Sequence, residues 1–341
     1  MKKINIALLG MGRIGKIHFM NIKQYFPSAT ITAVADPVSD ESLHQQYKNV
    51  FFTNDPYEAI KRNDVDAVLI CTPTSSHADL IEEAIRQRKH IFCEKPMDLS
   101  LERTEALTEM AATNKMKLMI GFNRRFDPDF MQAYRSVREG KIGNVQIVKI
   151  TSRDPGLPPL DYIRNSGGLF MDMAIHDFDM ARYIMNKEVV EVFAKGLVVI
   201  DPAVAEAGDV DTAITTLTFE DGSYAVIDNS RKAIYGYDQR LEIFGSGGMI
   251  QVDNNLHNRN VLYNESGIHQ ALPLDFFMDR YSRSYLKEME LFIQALTLNT
   301  PMPATGSDAI QATIIAAAAK QSMETGSPVK LEEIKKSSVL V

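Results

Sequence analysis

The apolar run INIALLG ends directly in the glycine-spaced loop GMGRIG, and a helix-like stretch follows over 13–25. The loop residues Gly10, Met11, Gly12, Arg13, Ile14 and Gly15 set three glycines in GxGxxG spacing. Between a strand and a helix, that spacing serves a pyrophosphate. Gly10 allows the tight turn, Gly12 lets the backbone approach the ligand, and Gly15 lets helix and strand pack closely. The phosphate then rests on unpaired N–H groups at the positive end of the helix dipole. Asp36 closes a second apolar run, TITAVAD, 21 residues after Gly15. Its carboxylate is expected to accept hydrogen bonds from the adenosine ribose hydroxyls and to repel a 2′-phosphate. No Arg or Lys follows it in DPVSDES, so NAD is expected over NADP. FAD, S-adenosylmethionine and a glycine turn without ligand are the alternatives.

The alternation continues. DAVLICTP, HIFCEKP and MKLMIGF read as strands, with helices over 74–87 and 100–114. Apolar strands separated by helices indicate a doubly wound parallel sheet covered on both faces. Ser76 and Asp79 have capping-box spacing, read here as a plain helix start. After Gly121 the pattern changes. VQIVKITSRD, VVEVFAKGLVVI, DTAITTLTF, SYAVIDNSR, RLEIFGSGG and MIQVDNN are closely spaced strand-like runs. EDGS and GSGG supply hairpin turns, so antiparallel pairing is expected. A helix over 168–185 interrupts the series, and two more follow over 284–296 and 307–325. The expected architecture is α/β: a nucleotide-binding domain over 1–122 and an α+β domain over 123–341.

A chain of 341 residues suits two domains at roughly 150 residues each. A net charge of −7 argues against a nucleic-acid partner. Cys71 and Cys93 form no CxxC pair and end apolar runs, so buried free thiols in a reducing cytoplasm are expected. The start MKKINIALLGMGR is only superficially like a signal peptide, because Asn5, the glycines and Arg13 interrupt it. No apolar run approaches the roughly 18–20 residues needed to cross a membrane.

Ligands of open α/β sheets bind beyond the carboxyl ends of the strands. CTPTSSH places Thr72, Pro73 and His77 at one such end, and CEKP places Glu94, Lys95 and Pro96 at another. The Lys95 ammonium there is either a surface partner of a neighbouring acid or a donor that stabilises charge on a substrate oxygen. GGLFMDMAIHDFDMARYI sets Asp172 and His176 four residues apart, on one helical face. An imidazole accepts a proton near neutral pH. The alternatives are a core histidine on a backbone carbonyl and a metal ligand. Asp-x-x-x-His offers only two ligands, with no second histidine nearby, so no metal is expected. Asp177 and Asp179 read as helix solvation or local pairing.

GMGRIGKIH, ADP, CTPTSSH, CEKP, GFNRRFD and GGLFMDMAIHDFDMARY occur in this order. With them the chain resembles the glucose–fructose oxidoreductase/inositol dehydrogenase family over nearly its whole length. TSRDPGLPPLDYIRNSGG and YGYDQRLEIFGSGG point to the myo-inositol branch. The resemblance implies a Rossmann domain and a second domain with a large, open antiparallel sheet. That sheet is commonly the oligomer interface, so a homotetramer is expected. It implies a catalytic set of Lys95, Asp172 and His176 and a cis Lys95–Pro96 bond. Cofactor contacts are expected from the glycine loop, Asp36, Thr72, Pro73, His77, Glu94, Lys95 and Asn123. Substrate contacts are expected from Lys95, Asn123, Asp154, Asp172, His176 and Tyr235. The implied reaction is NAD-dependent oxidation of myo-inositol to the 2-keto inositol. His176 would be general base, Asp172 would orient it or bind the hydroxyl, and Lys95 would complete the clamp from the other domain. Scyllo-inositol or an aldose is the alternative substrate. An NAD-binding redox sensor without turnover, or an assembly protein using its sheet face, is the alternative function. Arg124 and Arg125 are expected to hold the domain junction through ion pairs.

Overall fold

The computed structural model describes residues 3–38 and 41–338. Ser39 and Asp40, part of the loop whose lack of basic residues favours NAD, lie outside them. The chain forms two compact units. One comprises Met1–Asn123 and Ser284–Gln311, the other Arg124–Arg283 and Ala312–Val341. The division therefore does not follow one cut at residue 122, because the chain returns to its first unit. Backbone groups fix that return. Ser284 Oγ donates to the Asn123 carbonyl. Ile120 N–H donates to Ala304 O at 3.1 Å, and Lys117 Nζ donates to Ala295 O at 2.8 Å. A sequence read for periodicity carries no mark of such long-range bonds.

In the first unit, β1 (Ile4–Leu9), β2 (Ala29–Ala35), β3 (Phe51–Thr53), β4 (Ala67–Ile70), β5 (His90–Glu94) and β6 (Leu118–Gly121) form a parallel sheet ordered β3-β2-β1-β4-β5-β6. This is the Rossmann order, which reverses direction between β1 and β4. Helix Arg13–Tyr25 buries Gly15, His18, Phe19 and Ile22, a stripe at helical spacing that seals one face of the sheet.

In the second unit, β7 (Val145–Arg153), β8 (Val189–Leu197), β9 (Thr212–Phe219), β10 (Tyr224–Ser230), β11 (Asp238–Gly245), β12 (Gly248–Val252) and a short terminal strand, Val329–Lys330, form a seven-stranded sheet. β8–β9, β9–β10 and β11–β12 pair antiparallel, and so does β7 with β11. The exception is β7 with β10, which run parallel from Ile147↔Tyr224 to Arg153↔Ser230. The sheet is therefore mixed. β10 meets β7 only after the chain has built β8 and β9. One face carries the buried residues Val148, Ile150 and Ser152 of β7. Met249, Phe244, Ile147 and Tyr224 align directly across β12, β11, β7 and β10 on the other face, each 36% exposed or more.

The helix expected over 168–185 is broken. Gly168–Asp172 ends at Asp172, and Ile175–Met185 resumes after Met173 and Ala174. Among the described residues no helix is long and apolar enough to cross a membrane.

Candidate active site

The glycine loop shows a different constraint at each glycine. Gly10 has φ +93°, and a Cβ there would lie 2.7 Å from Cys71 O. A Cβ on Gly15 would lie 1.9 Å from Gly10 O, so only glycine lets helix Arg13–Tyr25 start this close to the strand. A Cβ on Gly12 would meet nothing within 4 Å. Gly12 caps the helix with backbone alone, and the space beside it is open. That open helix N-terminus fits a pyrophosphate. Asp36 sits at the end of β2. Its Oδ2 accepts from Met11 N–H at 2.6 Å and its Oδ1 from Val38 N–H at 2.8 Å. The carboxylate thus ties the glycine loop to the second strand, and each oxygen keeps a lone pair for a ribose hydroxyl.

His77 is 1% exposed. Nδ1 lies 2.8 Å from Pro96 O and Nε2 lies 2.8 Å from Thr72 O. One ring nitrogen faces the EKP turn and the other the CTP turn, so the buried His77 ring lies between the two turns and its single N–H ties it to one of them. Thr72 Oγ1 accepts from Ser76 Oγ at 2.7 Å, and Ser76 makes no capping bond to its helix. Lys95 and Glu94 are half-buried at the end of β5, and the Lys95–Pro96 bond is cis. The Asn123 side chain is buried.

The parallel β7–β10 pair organises the second unit's polar cluster. Asp154 follows β7 and Arg231 follows β10, side by side, with Asp154 N–H donating to Ser230 O at 2.8 Å. Arg231 is 1% exposed. Its Nη1 lies 3.4 Å from Asp172 Oδ2 and its Nη2 lies 3.5 Å from Asp209 Oδ2. Asp172 Oδ1 accepts from the Tyr162 hydroxyl at 2.8 Å. Asp209 Oδ1 accepts from Leu169 N–H at 3.0 Å, capping the short helix that ends at Asp172. Gly168 makes room for that cap, since a Cβ there would lie 2.7 Å from Asp209 Oδ1. Burial, and then the nearby Asp172, push the Asp154 carboxyl up to about 6, against the opposing pull of Arg231 and Arg124. The structure thus gathers Asp154 and Asp172 around one guanidinium.

His176 lies at the start of helix Ile175–Met185, half-buried, one residue before Asp177. Asp177 and Asp179 are not solvating residues, being 0% and 1% exposed. Arg124 Nη1 pairs with Asp177, Arg124 Nη2 donates to Ser152 Oγ at 3.1 Å, and Asn229 Nδ2 donates to Asp177 Oδ2 at 2.8 Å. Arg125 holds Asp179 with two bonds of 2.7 and 2.5 Å. These pairs lie within the second unit and pin the His176 helix to the buried face of its sheet. Burial raises the Asp177 carboxyl, and Arg124 opposes it.

Tyr235 lies beside Arg153, the residue before Asp154. Its hydroxyl donates to Asp238 Oδ2 at 2.7 Å and accepts from Arg153 Nη1 at 3.1 Å. The donor expected for a polyol is engaged by the strand-end network of Arg153, Asp238 and Arg240.

Residues 4–122 match the family described as an oxidoreductase family with an NAD-binding Rossmann fold, and residues 130–251 match the GFO/IDH/MocA C-terminal domain. The chain belongs to the GFO/IDH/MocA oxidoreductase family. The myo-inositol 2-dehydrogenase of Thermotoga maritima is 45% identical to this family member over 334 residues, covering 97% of this chain and 99% of that one. The scyllo-inositol 2-dehydrogenase (NAD(+)) of Bacillus subtilis is 34% identical, covering 97% of both. The crystal structure of scyllo-inositol dehydrogenase from Lactobacillus casei with bound NAD(H) and scyllo-inositol is 32% identical, with a TM-score of 0.90 over 97% of this chain and 100% of that one.

In this GFO/IDH/MocA protein, sequence reasoning missed Arg231, Asp209, His18 and Glu288. Arg231 and Asp209 left no local signal, because their partners are distant in sequence. Glu288 did leave one. It shares a helix face with Tyr285, Met289 and Phe292, all buried. A carboxylate on an apolar stripe demands a partner.

Proposed function

We infer that the protein is an NAD-dependent dehydrogenase that oxidises a secondary hydroxyl of myo-inositol to the 2-keto inositol. The observation that carries this reading is the nearly full-length, 45% identity to a myo-inositol 2-dehydrogenase. Identity to the scyllo-inositol enzyme is lower, at 34%. The glycine loop with its open helix N-terminus and Asp36 fits the dinucleotide. NAD supplies the hydride acceptor, so alcohol and NAD⁺ give ketone, NADH and one proton. This chain's own residues handle the proton and the charge. His176 takes the hydroxyl proton. The Lys95 ammonium suits the role of a donor that stabilises negative charge growing on a substrate oxygen. Asp172, held by Tyr162 and Arg231, orients the reacting hydroxyl. The Asp154 carboxyl, pushed up to about 6, is an acceptor at neutral pH and takes a proton just below it, which suits a ring bearing several hydroxyls, each both donor and acceptor. Asn123 sits at the end of the last Rossmann strand, a place suited to nicotinamide or substrate.

The row Met249, Phe244, Ile147 and Tyr224 supports assembly through the sheet's exposed face, as a homotetramer. The two free cysteines, Cys71 and Cys93, suit the reducing cytoplasm.

The test is purified protein with NAD⁺ and a panel of myo-inositol, scyllo-inositol and aldoses, read at the NADH absorbance band. Turnover is expected with myo-inositol ahead of the others, and little with NADP⁺. Replacing His176 with Ala should lower turnover by about 10²–10⁴ with NAD binding kept. Absence of NADH with every polyol and aldose would instead make the chain an NAD-binding sensor.

A further inference from the structure

The first unit buries a second carboxyl cluster that the reaction does not use. His18 on helix Arg13–Tyr25, Glu94 at the end of β5 and Glu288 on helix Ser282–Thr297 bring one nitrogen and two carboxylate oxygens within 4.8 Å of one another. His18 and Glu288 are 0% exposed, and the Glu94 side chain is 14% exposed. His18 Nε2 lies 3.1 Å from Glu94 Oε1. No N–H or O–H donor among the described residues reaches either Glu288 oxygen, and His18 Nδ1 has no partner among them. The walls are the rings of Phe92, Tyr285 and Phe292. Cys71, at the end of β4, is near enough that both carboxyls, after burial, push its thiol up.

Two anionic carboxylates cannot share such a space without a neutralising partner. An imidazolium would leave an N–H on Nδ1 with nothing to accept it, a costly buried donor. The geometry therefore suits a neutral ring that donates from Nε2 to Glu94. One negative charge too many remains. Either a proton or a cation removes it. A proton needs no entry path, and Glu288, enclosed among aromatic rings, is the better place for it.

We propose that Glu288 is a positioning residue: as a neutral carboxylic acid it donates its proton to Glu94 and locks the end of the strand that carries Lys95. Burial, and then the charge of Glu94, move the Glu288 carboxyl well above the usual carboxylate range. Glu94 is held on its other sides too. Gly121 faces it across β5 and β6, and a Cβ on Gly121 would lie 2.8 Å from Glu94 Oε2. His18, Glu288 and the bare Gly121 backbone thus fix Glu94, the neighbour of Lys95. Only the benefit to Lys95 rests on the dehydrogenase reading; the protonation state stands apart from it.

The experiment has a spectroscopic arm and a kinetic arm. Infrared difference spectra of the intact protein at neutral pH, without substrate, should contain a protonated-carboxyl C=O band that is absent from Glu288→Gln. Absence of that band from the wild type overturns the proposal. So does a stoichiometric divalent metal that survives dialysis, because the cation would then carry the neutralising role. In the kinetic arm, Glu288→Gln keeps a donor toward Glu94 and should retain kcat within about threefold, with the pH profile unchanged. Glu288→Leu keeps the volume without the donor and should lower kcat about tenfold or more, with the KM for NAD changed less. Equal loss in both variants overturns the positioning role.

Discussion

Asp154 and Arg231 are the residues immediately beyond β7 and β10, and those strands run parallel in register up to Arg153↔Ser230. The one parallel pair among the described strands of the mixed sheet therefore brings a carboxylate and a guanidinium to the same strand ends. Asp172 arrives from a separate helix to the same guanidinium. The arrangement resembles the logic of the Rossmann sheet, where parallel strands converge their carboxyl ends on a ligand.

The Asp154 carboxyl, moved from 3.8 to about 6, should give stability a characteristic pH slope. The folded protein holds that proton longer than the unfolded chain does. The contribution is full below about pH 4 and declines as pH rises toward 6, by up to about 3 kcal/mol. Urea midpoints measured from pH 4 to 7 should show this decline in the wild type and a flatter line in Asp154→Asn. Parallel lines for the two proteins would place the proton elsewhere.

Removing the Arg231 guanidinium leaves Asp172 and Asp209 facing each other without a cation. Arg231→Met is expected to lose about 3 kcal/mol in urea unfolding. Turnover should fall about a hundredfold, because the carboxylate that orients the hydroxyl is no longer held. Arg231→Lys should restore part of the stability and little of the rate, since an ammonium cannot span two carboxylates as a fork does.

Asp36 has two functions that one variant can separate. Asp36→Ala removes both the acceptor for Met11 N–H, now at 2.6 Å, and the expected ribose contact. The KM for NAD should rise about 10–100-fold, and the preference for NAD over NADP should shrink. Steady-state kinetics with both cofactors measures this. An unchanged preference would show that Asp36 braces only the loop.

The exposed row across the second sheet predicts its own dependence. Placing a charge in its middle, as in Phe244→Glu, should split the assembly into smaller species under light scattering while leaving the fold intact by circular dichroism. Wild-type protein that already runs as a monomer would remove the proposed interface.

Much of the first unit was legible because its signals are local. GMGRIG lies between a strand and a helix, Asp36 ends the next strand, and CEKP ends another, so short-range steric and hydrogen-bonding rules sufficed. The Asp172–His176 pair was legible as a spacing, although the helix breaks between the two residues. Asp177 and Asp179 read as helix solvation or local pairing; they are paired, but not locally, because their partners Arg124 and Arg125 lie more than fifty residues away. Position in a motif marks His77 and Tyr235, but it carries no sign of the protein partners that the fold gives them, Pro96 and Thr72 for the one and Asp238 for the other.

Sequence alone determined the dinucleotide fold, its glycine turn and the residue types available for proton transfer. These follow from backbone sterics and hydrophobic period, which act over a few residues. Tertiary structure decided the parallel meeting of β7 and β10, the burial of Arg231 among carboxylates and the return of Glu288 to the first unit. Burial and long-range charge pairing set those outcomes, and neither exists until distant segments share a low-dielectric space.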